Sequence, residues 1–348
     1  ADGGSPDAAA FVAALDIDDD LRARAYAVLG SSIALGDHLV RHPEDWVVLV
    51  GVADPDGGVR PRELLGYDAM RAEMLAAVGA DPADADPVAR DASTDTLAAM
   101  RAAYRRLLLG VAAADLGDGA LFVDVSAALS DLADATLATA LAVARAAHPD
   151  DVATSRLAVI AMGKCGGHEL NYISDVDVLF VAEPVEGVDE TDALAGATRL
   201  AQALMHACVA STPEGAIWEV DPNLRPEGRN GALVRTLASY EGYYRRWAST
   251  WEFQALLKAR LATGDDDLGQ RFVELVTPLV WSAADRPNFV EDVQAMRRRV
   301  VENVPADVRD RELKLGYGGL RDVEFAVQLL QLVHGRNDES LHVASTVD

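Results

Sequence analysis

Between about Ala8 and Ala147, apolar residues recur at intervals of three and four, the spacing that lines one face of an α-helix, with Ala, Asp and Arg filling the rest. The clearest such stretches run over residues 21–35, 67–78, 94–114 and 126–147. Acidic links such as Asp81-Pro82-Ala83-Asp84-Ala85-Asp86-Pro87 separate them, because Pro and Asp favour turns over helix interiors. This half carries no evident chemistry. At Arg156 the period changes. Leu157-Ala158-Val159-Ile160-Ala161-Met162 and Val176-Asp177-Val178-Leu179-Phe180-Val181 are short, rich in β-branched residues and separated by a glycine loop, so they predict buried strands of one sheet. A helix over 192–210 and a third strand over 217–220 follow. After Arg235 the spacing is helical again over 237–262, 289–302 and 320–334, with Gly335 as a stop. The order predicts an α+β chain, mostly helical, in which a small mixed sheet is flanked by helical bundles. Its expected divisions are a helical region 1–150, a catalytic core 151–235 and a helical region 236–348.

Composition narrows the picture. The 348 residues, 50% apolar and 25% charged, suit an ordinary soluble globular protein of two or three packed units. Fifty-six acidic against 31 basic residues give a net charge of -25, which speaks against a nucleic-acid partner held by phosphate contacts. Any phosphate must therefore meet a local basic cluster. The two cysteines, Cys165 and Cys208, form no Cys-x-x-Cys, and with no paired His spacing read either, neither a disulfide framework nor a structural zinc site is expected, while a reducing cytoplasm is. No apolar run is expected to approach the roughly 18 residues of a membrane span, and the N-terminus lacks the regions of a signal peptide. The first residue is not Met and the chain stops at Ala344-Ser345-Thr346-Val347-Asp348, which suggests a piece of something larger.

The chemistry concentrates at Gly166-Gly167-His168-Glu169-Leu170-Asn171-Tyr172-Ile173-Ser174-Asp175-Val176-Asp177. Asp175 and Asp177 stand two apart at a strand entrance, and side chains at that spacing leave the same face. Close like charges raise one another's pKa unless a cation lies between them, so the pair is costly without a metal. Oxygen ligands of this kind suit Mg²⁺ or Mn²⁺. Asp221, at the end of the third expected strand, is the candidate third carboxylate, and in a two-metal site one ion activates the attacking oxygen while the other neutralises the leaving group. Gly166 and Gly167 admit backbone N–H groups close to a phosphate, and Ser174 adds a hydroxyl. Met162-Gly163-Lys164-Cys165 is not a phosphate-binding P-loop, since Cys165 replaces the required Ser or Thr.

These residues resemble a known family. Gly163-Lys164-Cys165-Gly166-Gly167-x-Glu169-Leu170-Asn171-x-x-Ser174-Asp175-x-Asp177 looks like the signature of the bifunctional glutamine synthetase adenylyltransferase/adenylyl-removing enzymes, a branch of the nucleotidyltransferase superfamily. Val220-Asp221-Pro222-Asn223-Leu224-Arg225-Pro226-Glu227-Gly228 is similar to that family's VDxxLRPxG element. Tyr243-Tyr244 through Trp251-Glu252-Phe253-Gln254-Ala255-Leu256-Leu257-Lys258-Ala259-Arg260 resembles its YY…WExxALLKAR helix, and Lys314-Leu315-Gly316-Tyr317-Gly318-Gly319-Leu320-Arg321-Asp322-Val323-Glu324-Phe325 its glycine-rich segment. The strong matches span about residues 156–334. Cys165 stands where Leu is usual and Asn223 where Arg is common.

The resemblance implies a nucleotidyltransferase-type sheet; members carry two such domains and this chain one, and its Glu169-Leu170-Asn171 before Ser174-Asp175-x-Asp177 and its Lys314-x-Gly316-x-Gly318-Gly319 segment look like the N-terminal, adenylyl-removing half. That half takes AMP off a tyrosine of glutamine synthetase with inorganic phosphate, giving ADP. The partners it implies are adenylylated glutamine synthetase, inorganic phosphate, ADP or ATP, and a PII-type signal protein, with no nucleic acid and no membrane. The alternatives are the adenylylating half, which uses ATP and releases pyrophosphate, and a non-catalytic nucleotide- or signal-binding module. Arg225, Arg229, Lys258, Arg260, Lys314 and Arg321 are the candidates to offset the phosphates' charge. Against that, Lys258 and Arg260 suit a solvated helix face and Arg321 an i,i+3 pair with Glu324. Gly316, Gly318 and Gly319 form either an anion-binding helix start or a turn. His168 is either a general acid or a surface residue, and Trp218, Trp247 and Trp251 either stack on adenine or fill the core.

Overall fold

The computed structural model describes residues 5–53, 59–60, 63–302, 304–308 and 311–347. Residues 1–4 and Asp348, weighed above for processing signals, lie outside this set. Two compact units emerge, each built from separate stretches of chain.

The first unit comprises residues 1–149, 168–174 and 200–219. Its helices are α1 (Pro6–Ile17), α2 (Asp19–Ser31), α3 (Ile33–Arg41), α4 (Tyr67–Ala77), α5 (Thr94–Asp118) and α6 (Phe122–Ala147), with a small hairpin of β1 (Val52–Ala53) and β2 (Val59–Arg60). The stretches expected over 67–78, 94–114 and 126–147 are present, whereas the one expected over 21–35 breaks at Ser32, which caps α3 through the Leu35 N–H, into α2 and α3. Ser93 caps α5 through the Thr96 N–H, and Gly119 ends it at φ +68°, a conformation that only a residue without Cβ adopts cheaply. Leu21, Val28, Leu35, Leu49 and Leu109 form one buried cluster across α2, α3, the Pro43–Leu49 turn and α5. The centre of the unit is α6. Its alanines at 133, 135, 138, 140, 142 and 144 are all buried, and small side chains let neighbouring helices approach closely. Its buried Ser130, Thr136 and Thr139 hydroxyls donate to carbonyls four residues back at 2.9, 2.7 and 2.8 Å, so none is left unpaired. By length and composition α6 is apolar enough to cross a membrane, which corrects the expectation that no stretch is. With 89% of that window buried inside the protein, it serves as the core helix.

Arg101 on α5 is fully buried. Its guanidinium donates to the carbonyls of Leu97 (2.7 Å), Ala207 (2.8 Å), Ala210 (2.6 Å) and Gly215 (2.8 Å). One side chain thus ties the 207–215 segment to α5, more than a hundred positions away in sequence, and satisfies buried and part-buried carbonyls.

The second unit comprises residues 150–167, 175–199 and 220–348. Along it run α7 (Pro149–Val152), β3 (Ser155–Ala161), α8 (Gly163–Gly166), β4 (Val176–Pro184), the first half of α9 (Glu190–Val209, whose residues from 200 on are counted in the first unit), β5 (Val220–Asp221), β6 (Val234–Arg235), α10 (Leu237–Arg246), α11 (Thr250–Leu256), β7 (Arg260–Gly264), α12 (Asp266–Trp281), α13 (Phe289–Glu302) and α14 (Leu320–His334). The sheet order is β5-β4-β3-β7, with β6 also on β4. β3 pairs antiparallel with β4 and β7, whereas β4 pairs parallel with β5 and β6, so the sheet is mixed and the chain α+β as expected. Ala158, Ile160, Leu179 and Val181 face Tyr240, Tyr244, Phe272 and Leu332 in one core. Leu157, Val159, Val178 and Phe180 are buried as well, which is why both strands read as continuous apolar runs.

In this unit two expected elements change. The helix expected over 237–262 breaks into α10 and α11, and Arg260-Leu261-Ala262 is instead strand β7 against β3. Leu-Leu-Lys-Ala-Arg favours helix locally, but the open edge of β3 offers a ladder of backbone bonds that outweighs a propensity of a few tenths of a kcal/mol per residue. The third strand is only Val220–Asp221.

Arg101→Ala is expected to lower unfolding free energy in urea by about 3 kcal/mol, since it strands several buried carbonyls at once. A loss under about 1 kcal/mol would show the clamp to be dispensable.

Candidate active site

Strand register sets the site. β4 and β5 pair parallel with Val176 opposite Val220 and Asp177 opposite Asp221. Adjacent strands lie about 4.8 Å apart, so register alone makes these two aspartates neighbours. Asp175 precedes β4 by one residue. It is exposed, whereas Asp177 and Asp221 are half-buried. Burial first, then the charges of Asp221 and Asp175, push the Asp177 carboxyl up to about 6, while Arg321 and Lys314 pull it down. Five groups expected from the sequence therefore share one field. Asp221 Oδ1 is oriented by the Asn223 N–H at 2.8 Å.

The four-residue turn α8 lies against this pair. Gly163 has φ +54°, and a Cβ there would stand 2.2 Å from Asp177 Oδ2, so the position needs glycine on two counts. The Gly166 and Gly167 N–H groups donate back to Met162 O (2.8 Å) and Gly163 O (3.1 Å). A Cβ at Gly166 would meet Lys258 O at 2.0 Å. These two glycines let backbone pack on backbone, and their amides are engaged within the turn instead of facing a phosphate.

The basic candidates separate into two groups. Lys314 and Arg321 act on Asp177, and the Arg321 N–H donates to Lys314 O at 2.9 Å as the 313–320 loop closes onto α14. Arg321 also makes its i,i+3 contact, with Nε 3.5 Å from Glu324 Oε2. The others bind their own chain. Lys258 is buried, not on a solvated helix face, and its Nζ donates to Thr346 Oγ1 (3.0 Å) with Glu324 Oε1 at 3.5 Å. Arg260 donates to Cys165 O (2.9 Å) and Gly166 O (3.2 Å), holding the end of α8. Arg225 donates to Pro222 O (2.9 Å), Gly231 O (3.1 Å) and Arg229 O (3.3 Å), and so shapes the loop after Asp221. Arg229 itself is exposed.

Two acidic residues support the basic pair, Glu324, expected as the partner of Arg321, and Asp322, to which sequence reasoning gave no role. Glu324 bridges Lys258 and Arg321, and Asp322 accepts from the Gly318 N–H (2.6 Å) and pairs with Arg297, whose Nη2 also donates to Gly316 O (3.0 Å). The glycine segment is thus a braced turn leading into α14. Ser174 and His168 belong to the first unit, where His168 Nδ1 lies 4.0 Å from Asp131 Oδ1. Trp247 is 76% exposed and fills no core, while Trp218 and Trp251 are half-buried.

Carboxylates paired across two neighbouring strands, in one electrostatic field with a lysine and an arginine, suit the chemistry of the nucleotidyltransferase class. Residues 23–275 match the glutamate-ammonia ligase adenylyltransferase family, and the chain belongs to it. Residues 294–347 match GlnD PII-uridylyltransferase. The bifunctional glutamine synthetase adenylyltransferase/adenylyl-removing enzyme of Streptomyces avermitilis is 57% identical over 329 residues, covering 94% of this chain and 30% of that protein. The namesakes of Mycolicibacterium smegmatis and Mycobacterium tuberculosis are 55% and 51% identical, over 95% and 97% of this chain and 32% and 31% of theirs. The chain thus spans about a third of the length of these relatives.

Gly163→Ala is expected to cost about 1 kcal/mol more in urea unfolding than Gly119→Ala, whose φ of +68° is similar but whose Cβ would meet nothing within 4 Å. Equal losses would mean that Gly163 serves conformation alone and not the space beside Asp177.

Proposed function

We propose that this chain is an adenylyl-removing unit acting on the AMP-tyrosine of glutamine synthetase, with Asp175, Asp177 and Asp221 as its reaction centre. The observation that carries the reading is the register pairing of Asp177 with Asp221, which concentrates negative charge where Lys314 and Arg321 only partly offset it. The direction rests on the likeness of the Glu169-Leu170-Asn171 and Lys314–Gly319 motifs to the adenylyl-removing half, and the substrate on the names of the relatives. The match over 294–347 supports a PII-type signal protein as a regulator.

Inorganic phosphate attacks the phosphorus of the adenylyl group, a new P–O bond forms, the bond to the tyrosine oxygen breaks, and ADP leaves. The phenolate, whose conjugate acid ordinarily titrates near pH 10, then takes a proton from solvent. Both reactants are anionic, so their repulsion is the main obstacle. Lys314 and Arg321 offset it on one side, Lys as a point charge and Arg as a planar donor fork. Asp175, Asp177 and Asp221 are oxygen donors of the type that hold Mg²⁺ or Mn²⁺, which when bound would neutralise phosphate oxygens in the transition state. Arg260 and Gly163 hold the α8 turn against Asp177, and Glu324 and Asp322 hold Arg321 and its loop.

The test is incubation with adenylylated glutamine synthetase, phosphate and Mg²⁺. ADP is expected, with Asp177→Asn at least about a hundredfold slower. Pyrophosphate formed from ATP and unmodified enzyme, with no ADP from the adenylylated form, would assign the adenylylating direction instead. Wild type and Asp177→Asn behaving alike would remove the site.

A pH dependence follows from Asp177. Below its pKa of about 6 a cation must displace a proton, so Mg²⁺ affinity is expected to be flat above that pH and to fall about tenfold per unit well below it. Asp221→Asn removes a charge that raises this pKa, so the fall should begin at lower pH. Calorimetric titration checks both, and a midpoint unmoved by Asp221→Asn contradicts the shared field.

A further inference from the structure

In the first unit, His38 on α3 and His42 at its end stand four residues apart, on one side of the helix, with Glu214 from the 212–215 turn beside them. Ligand atoms of the three lie within 4.8 Å of one another. His38 is fully buried, and its Nε2 lies 2.8 Å from Asp45 Oδ2. Its Nδ1 is buried with no hydrogen-bond partner, a costly state for a ring nitrogen. His42 Nε2 is buried too and lies 3.2 Å from Glu214 Oε1 without the angle of a hydrogen bond. Donors at about 2.0–2.1 Å on a tetrahedral ion are about 3.3 Å apart, so the His42–Glu214 separation is already that of two ligands.

We propose that His38, His42 and Glu214 form a binding site for a divalent transition cation of the zinc class, separate from the aspartates of the second unit. Two imidazoles and a carboxylate suit Zn²⁺ and not Mg²⁺, which takes oxygen donors. The surroundings are those that tune such a site. Asp45 fixes the His38 tautomer with the proton on Nε2, leaving the Nδ1 lone pair free to bind, and Arg106 Nε in turn holds Asp45 Oδ1 at 3.0 Å. Glu44 Oε1 stands 3.6 Å from His42 Nδ1, and Arg41 Nη1 3.4 Å from Glu214 Oε2, leaving Oε1 for the ion. The ion would join the end of α3 to a turn about 170 positions further along, on the segment that Arg101 also fastens. The expectation of no paired His spacing is corrected here, since His38-x-x-x-His42 is such a spacing.

The experiment is titration of the whole chain with Zn²⁺, and with Co²⁺ as a spectroscopic probe, in an Asp175→Ala/Asp221→Ala background that removes the oxygen-donor centre. Expected is one tight equivalent, a Co²⁺ visible spectrum of low coordination number and a rise of several degrees in unfolding temperature. In the same background His42→Ala and Glu214→Gln, which leave buried His38 in place, should each weaken binding at least tenfold and abolish the rise. Absence of tight binding, or binding unchanged in both variants, overturns the proposal. Neither result bears on adenylyl removal, which this site does not enter.

Discussion

Everything at the candidate centre depends on one register. A parallel pairing of two short strands sets Asp177 opposite Asp221, and no side-chain flexibility undoes what a backbone ladder imposes. Like charges at that spacing resist ionisation, and the raised pKa of Asp177 expresses that resistance. The surrounding sheet makes the register firm. Apolar side chains bury both faces of β3 and β4, so a one-residue slip would bring Asp177 to the other face and misplace every core residue of the strand.

Around this pair the chain uses most of its nearby cations on itself. Arg225, Lys258 and Arg260 are anchored on carbonyls or side chains of their own unit, where they shape the loop after Asp221 and the α8 turn. Lys314 and Arg321 remain as the cations acting on Asp177. In a chain of net charge -25, this division keeps a local basic field opposite the carboxylates while the remaining basic side chains do structural duty. The same pattern appears in the first unit, where buried Arg101 binds only carbonyls.

Much of this was legible in the sequence. Long helical periods such as 94–114 and short β-branched runs such as 157–162 survive tertiary packing because local propensity and burial agree there. Arg260-Leu261-Ala262 was not legible, because its helical propensity is overridden by the free edge of a strand a hundred residues away. The carboxylates could be read because spacing of two in a strand dictates a shared face. The roles of the glycines and arginines could not, because whether an amide or guanidinium faces a ligand or a carbonyl is decided by partners distant in sequence. His38 and His42 carried a local signal, but Glu214, which gives it meaning, lies far along the chain.

The central claim is that Asp175, Asp177 and Asp221 form one cation-binding centre for a nucleotide phosphate. A crystal of the whole chain soaked with ADP and Mn²⁺, with anomalous scattering used to locate the ion, tests it most directly. The account predicts an anomalous peak within about 2.0–2.3 Å of oxygens of Asp177 and Asp221, with ADP phosphates on its far side toward Lys314 and Arg321. Bound ADP with no Mn²⁺ between those two carboxylates, or Mn²⁺ held elsewhere, would contradict it.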